Sequence, residues 1–477
     1  MATKLVCLAC LLLFVVPTSS AVPSSTDQPL VMTRLGLDLQ VDYEAGTIGG
    51  TATLEVRNAS DQSRANIPLL LSRLMSVSKV ADAAGADLSF DQRVVIFQDD
   101  PARQVNSIGV KLPHSLPPGG SFAIVVHYRG ILVGYTETGS LYIRDHVSRD
   151  FTIIREDAYA FPTLGIPSWA ANRAAPRDSF TFAARVTVPP GLVVAMGGER
   201  RERTQRDSLV TWGYNSTEQV PFLNITIAPY ELLERSDAHI FYFPADAAGA
   251  RALGQAISGA IERYTRWFGS LGREPKLVVI EIPEGFGSQA SLSAGILQTA
   301  EAFRDRSELS QVYHELSHLW NVPDLERPSP RWNEGLASFL QSRMAAELDG
   351  WNQWDARTER IVASLKQRCM PPNPCDTVPL AAYGGAGLTD RSYSVGMLMF
   401  YALYQVLGQE TFDRAYGTFF QQYRKKGATT SDLVAAFREV SPKSDPIFQD
   451  WLFTTRWYSL LSSGKSFRQI VSQYKQP

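Results

Sequence analysis

Cysteine is nearly absent from this chain: 4 in 477 residues, two of them, Cys7 and Cys10, inside an apolar N-terminal run. That excludes a small disulfide-built scaffold and a cysteine-rich zinc module. An excess of either charge is lacking too. Lys+Arg 46 against Asp+Glu 48 leaves a formal charge of -2, with no long Lys/Arg block. Nothing here would attract a polyphosphate backbone, so nucleic-acid binding is excluded as a primary role. Beyond the N-terminal run no apolar stretch approaches the roughly 18 residues that span a bilayer. No transmembrane segment is therefore expected in the mature chain. Histidine is scarce as well, with 6 in the whole sequence, which makes any clustering of it informative.

What is present begins with a leader. Lys4 precedes the apolar run Leu5 to Val16, and Ser19-Ser20-Ala21 offers a small-residue cleavage site. Residues 1–21 read as a secretory signal cut after Ala21, and 22–30 as a Ser/Pro/Thr-rich linker. The mature protein is expected to be exported, to a periplasm or the exterior. In that compartment Cys369 and Cys375, closing a Pro-rich loop, are expected to form a disulfide; a share in a metal site is the alternative. Asn58, Asn215 and Asn224 lie in N-x-S/T sequons, which count only in a glycosylating host.

Residues 31–235 have a β texture. Leu35 to Val41 and Gly50 to Val56 alternate apolar and polar positions, and further short runs follow at 93–97, 122–128, 180–188, 192–196 and 222–228 between Pro/Gly turns. This argues for an antiparallel β-sandwich or saddle. From 236 to 477 the pattern changes. Leu253, Ile257, Ile261, Tyr264 and Phe268 recur at helical spacing, Lys276 to Ile282 is strand-like, and the remainder reads mainly helical. The fold class is thus multidomain α+β, with an N-terminal β domain and a mainly helical second domain.

The helical half carries the chemistry. Tyr313-His-Glu-Leu-Ser-His-Leu-Trp320 contains H-E-x-x-H at His314, Glu315 and His318, and Trp332-Asn-Glu-Gly335 supplies a third candidate ligand, Glu334. Residues four apart on a helix differ by about 40° around the axis, so both imidazoles face one way, as a tetrahedral zinc ion requires. Glu315 flanks that position without ligating and can act on a water molecule. The helix is expected to start at Ser307, with its hydroxyl as cap, and to run through Trp320; the Glu334 helix is expected over 332–350. The competing reading is a pair of satisfied core histidines, since Leu316, Leu319 and Trp320 are apolar.

These residues resemble the gluzincin zinc metallopeptidases of the aminopeptidase N and leukotriene hydrolase family. Arg391-Ser-Tyr-Ser-Val-Gly-Met-Leu-Met399 is similar to that family's Tyr-x-x-Gly helix, Leu407 to Phe412 to its Leu-Gly-x-x-x-Phe, and Phe448-Gln-Asp-Trp451 to its Phe-x-x-Trp. Asp157-Ala-Tyr-Ala-Phe-Pro162 stands near an Arg-x-Phe-Pro segment. The resemblance implies a thermolysin-like catalytic domain, one Zn2+ on His314, His318 and Glu334, Glu315 as general base, and Tyr393 on the oxyanion, with Tyr383 as its rival. The implied partner is a peptide or protein substrate. His-Leu-Trp-Asn-Val322 also resembles the glycyl aminopeptidase gluzincins.

Three departures shape the expectation. The fifteen residues between His318 and Glu334 are three fewer than the family has, a shortening assigned to the inter-helix loop. The glutamate that clamps a substrate's α-amine aligns with Leu292, so Glu281, Glu284, Glu156 and Asp157 are candidate substitutes. The family's large C-terminal helical domain is expected to be absent, because its catalytic domain would end near Pro477. The leading expectation is a zinc peptidase resembling an aminopeptidase. The alternatives are a catalytically silent peptide-binding relative, an endopeptidase or dipeptide-releasing variant, and an epoxide-opening relative.

Overall fold

The computed structural model describes residues 30–168, 172, 179–216, 218–272, 276–291, 293–326, 332–348, 350, 354–369, 378–383 and 391–475. The expected leader, Leu292, Cys375, Pro328 and Pro330 lie outside these residues, so the expected Cys369–Cys375 bridge does too; Cys369 itself is buried.

The first half is built of three sheets. The largest has seven strands, ordered 199–206, 209–215, 181–188, 30–42, 47–58, 121–131 and 75–82. In Leu30–Asp42 the buried positions Leu35, Leu37, Leu39 and Val41 alternate with exposed Arg34, Asp38 and Gln40, so one face enters the core and the other stays wet. A four-stranded sheet (90–96, 104–116, 64–72, 163–164) and a three-stranded one (193–196, 224–228, 152–155) accompany it. The sequence predicts purely antiparallel pairing. One pair departs from it: Leu30–Asp42 runs parallel to Thr181–Val188. The chain leaves this sheet for long excursions through the others and re-enters from the same end, which hairpin logic does not anticipate.

The second half opens on a mixed five-stranded sheet, ordered 231–234, 238–242, 277–282, 295–299 and 289–291. Its first two strands form a hairpin, so a division drawn at residue 235 falls inside that hairpin. The long helix Ala247–Phe268 packs its Leu253, Ile257, Tyr264 and Phe268 side into a core shared with Leu316, Trp320, Trp332, Leu336, Phe339 and Phe412. A separate cluster of strand residues forms the core of the β half. The two largest buried clusters thus fall one in each half, as surface-to-volume scaling favours in a chain of this length. Among the described residues no helix is long and apolar enough to cross a membrane.

Candidate active site

The H-E-x-x-H run forms a short helix, Ser310–Ser317, extended by a 3-10 turn over His318–Trp320. It does not start at Ser307. That hydroxyl and its own backbone N–H both donate to Asp305 Oδ1, at 2.7 and 2.8 Å, closing a local turn instead of capping. The motif helix is tied into the core by aromatic polar groups. Tyr264 Oη donates to the carbonyl of Tyr313 at 2.8 Å and Tyr416 Oη to that of Trp320 at 2.9 Å. Trp320 Nε1 donates to Gly269 O at 2.9 Å. Two of these acceptors, Trp320 O and Gly269 O, stand at helix ends and are thereby satisfied without water.

Glu334 sits in the first turn of the neighbouring helix, Asn333–Leu348, and Tyr393 in the first turn of a third, Ser392–Leu407. The last two helices meet at a pair of glycines. A Cβ built on Gly335 would lie 2.5 Å from Gly396 Cα and 2.6 Å from its carbonyl carbon, so only glycine permits this approach. Gly335 adjoins Glu334, and Gly396 lies one turn beyond Tyr393. The crossing therefore sets how far apart these two side chains stand.

Four helical elements bring together what the sequence spreads over eighty residues. Glu334 Oε2 is 3.2 Å from His314 Nε2 and 3.5 Å from His318 Nε2. All three potential ligand atoms lie within 4.8 Å of one another, and among the described residues this is the group of His, Cys, Asp and Glu side chains that could hold a metal ion. A tetrahedral zinc with bonds of about 2.0–2.1 Å separates its ligand atoms by roughly 3.3 Å, so the residues present fit the ion. The shortened loop after His318 does not prevent Glu334 from arriving. Tyr393 lies parallel to His314, with ring centroids 6.1 Å apart and an interplanar angle of 5°, and its phenol hydrogen-bonds Glu334. It is 41% exposed, whereas its rival Tyr383 is fully buried in the helical core. The structure thus places Tyr393, and not Tyr383, at the cluster.

The electrostatics follow from burial. Glu315 is 9% exposed. Burial pushes its carboxyl up to about 7, with His314 pulling down and Glu334 pushing further up. Burial also holds His318 down at about 4, against the pull of Glu334, so its imidazole is neutral at physiological pH. Burial would raise Glu334, but the hydrogen bond with His314 and the electrostatic pull of the two imidazoles outweigh it and hold its carboxyl below the usual value. Two neutral-capable nitrogens, one carboxylate and one carboxyl near its midpoint are the groups a metal-assisted hydrolase needs.

Of the acids considered in place of position 292, Glu281 is fully buried and accepts from Phe243 N at 2.7 Å. Glu284 pairs with Arg304 at 3.8 Å. Asp157 is tied to the edge strand Gln289–Ser291: its Oδ2 accepts from Gln289 Nε2 at 3.1 Å and from Tyr142 Oη at 3.0 Å. One residue had no assigned role in the sequence. Asn321 places its amide 2.6 Å from His318 Nδ1; its position just past the helix end, three residues beyond a ligand, is the signal that could have found it.

Residues 293–451 match the peptidase family M1 domain. The chain is 26% identical over 211 residues to probable aminopeptidase 2 of Sulfurisphaera tokodaii, covering 40% of this chain and 27% of that protein. It is 26% identical over 200 residues to aminopeptidase M1-D of Oryza sativa subsp. japonica, covering 38% and 23%. The matched part thus spans about a quarter of the length of these curated relatives. Among solved structures, a mutant M1 zinc metallopeptidase from Deinococcus radiodurans bound to a Tyr-Ser-Ala substrate superposes with a TM-score of 0.64, at 19% identity, covering 89% of this chain and 94% of that one. A two-domain M1 zinc metallopeptidase mutant bound to L-tryptophan gives 0.62, at 18% identity and 94% and 95% coverage. These likenesses establish the shared β-plus-helical fold. The domain match, which includes the H-E-x-x-H helix, shows that residues 293–451 form a peptidase family M1 domain, that of the aminopeptidase N family of gluzincins.

Proposed function

We propose that this protein is a zinc-dependent peptidase that hydrolyses peptide bonds near the N-terminus of its substrates. The observation that carries this is the convergence of His314, His318 and Glu334 beside a buried Glu315. His314, His318 and Glu334 would hold one zinc ion, as M1 zinc metallopeptidases do. Zinc bound there supplies a Lewis acid that polarises the scissile carbonyl and acidifies a water molecule. Glu315 takes a proton from that water as its oxygen bonds to the carbonyl carbon, and returns a proton to the amine nitrogen as the C–N bond breaks. Tyr393, with its exposed phenol, donates a hydrogen bond to the oxygen on which negative charge develops. A silent binding relative would need none of this pairing of base and donor. Zinc analysis together with peptide hydrolysis by wild type and Glu315→Gln tests the reading. Retained zinc with activity reduced by about 10²–10⁴-fold is expected; equal activity in the variant would sink it.

The register of cleavage is a finer question. An alkyl side chain at position 292 cannot pair a substrate ammonium, and Asp157 Oδ2 is already shared between two donors. A charge-assisted clamp is worth about 1.5–3 kcal/mol, or roughly ten- to a hundredfold. We therefore place the chain among aminopeptidase-like enzymes with a relaxed demand for a free α-amine. Free and N-acetylated forms of one peptide should differ by less than about tenfold in kcat/KM, and a larger preference for the free amine would restore strict exopeptidase action. The leader sequence further supports export, with Val22 as the mature N-terminus, which sequencing of the secreted protein would read directly.

A further inference from the structure

Asn321 follows the 3-10 turn that ends the motif helix, and its side chain faces the ring of His318. Its Nδ2 lies 2.6 Å from His318 Nδ1. That separation is short for a nitrogen–nitrogen contact and suits an oxygen acceptor better. On the other side of the same amide, Oδ1 is buried and meets no donor among the described residues. The two ends of a carboxamide have one shape and are assigned from their partners. Turning this amide by half a revolution sets Oδ1 against Nδ1 and puts Nδ2 where the unpartnered Oδ1 had been. The other ring nitrogen, Nε2, points at Glu334 Oε2, 3.5 Å away, within the three-residue cluster. A nitrogen ligates only through its lone pair, so the ring proton must reside on Nδ1 and requires an acceptor there.

We propose that Asn321 is a positioning residue for the metal centre. Its Oδ1 accepts from His318 Nδ1–H and holds the tautomer whose Nε2 lone pair faces the ion. The inference rests on reading the cluster as a zinc site. A purely structural role in ending the helix is met by the backbone, where Asn321 N donates to His318 O at 3.2 Å, a bond that any non-proline residue makes.

The test compares zinc dissociation constants of the full-length wild type, Asn321→Ala and Asn321→Asp, measured by competition with a chromophoric chelator. Alanine removes the acceptor, whereas aspartate keeps an acceptor of the same shape and loses the donor. Zinc binding should weaken by about 10–100-fold in the alanine variant and stay at or above wild-type strength in the aspartate variant. The visible absorption of the cobalt(II)-substituted proteins should match between wild type and Asp, and differ in Ala. Wild-type affinity in the alanine variant overturns the inference. So does an aspartate variant that falls as far as alanine, since the amide donor would then be what matters. A wild type that binds no zinc would instead sink the reading of the cluster itself.

Discussion

Replacing Gly335 with alanine perturbs the site without touching any of its functional groups. The new Cβ would lie 2.5 Å from Gly396 Cα, 2.6 Å from Gly396 C and 3.0 Å from Met397 N. All three are backbone atoms of a helix and cannot rotate away, so the helices Asn333–Leu348 and Ser392–Leu407 must separate by about 1 Å to reach ordinary contact. Overpacking of this kind costs about 1–3 kcal/mol, of which alanine's better helix propensity returns up to about 1. The larger effect falls on geometry. Tyr393 rides on one helix and Glu334 on the other, and a misplacement of about 1 Å costs on the order of 10²-fold in rate. The expected result is kcat lowered by about 10²-fold with zinc still bound, because His314 and His318 lie on neither displaced helix. Gly259→Ala is the control. Its Cβ would meet Leu348 methyl groups at 3.4 and 3.5 Å and the end of the Arg263 side chain at 4.0 Å, all ordinary contacts, so activity should be unchanged. Gly335→Ala with kcat within twofold of wild type would refute the claim that this crossing sets the site.

Tyr393→Phe should lower kcat by about 10²–10³-fold with KM little altered, since the phenol acts on charge that develops only in the transition state; a change confined to KM would reassign it to binding. Chelator-treated protein should lose stability as pH rises from about 4.5 towards 7, because the folded state holds the Glu315 carboxyl up at about 7 and so favours its protonated form. Thermal unfolding against pH should show this loss, on the order of 3 kcal/mol, relative to Glu315→Gln; parallel curves for the two proteins would contradict it. Asp413→Leu should destabilise the helical half by about 3 kcal/mol, since Arg343, packed 3.6 Å over the Trp267 ring, would lose its carboxylate at 2.8 Å and remain buried. An unchanged melting temperature would show that the ring and Glu347, 3.6 Å from Arg343 Nε, compensate the charge.

Much of the fold was legible because it is local. The alternation of Leu35 to Val41 lies inside the longer strand Leu30–Asp42, and the helical spacing of Leu253 to Phe268 inside the helix Ala247–Phe268. The errors have local causes as well. Ser307 carries the side chain of a cap, but Asp305 competes for its hydroxyl and wins. The parallel pairing of Leu30–Asp42 with Thr181–Val188 depends on the return path of a long excursion, for which periodicity holds no signal. Asn321 was in plain view beside a ligand, but its role depends on where one amide points.

The sequence by itself determined the H-E-x-x-H helix, because one helical turn places His314 and His318 on a common face whatever surrounds them. It also determined that Glu315 lies beside them, and that the chain holds a β half and a helical half. Only the tertiary structure decided that Glu334 reaches both imidazoles across a shortened loop, that Tyr393 rather than Tyr383 stands over His314, and that Asn321 faces His318. The physical reason lies in the range of the interactions. A helix fixes neighbours through dihedral angles and short hydrogen bonds, whereas distances between helices are set by side-chain volume, and here by the missing Cβ atoms of Gly335 and Gly396.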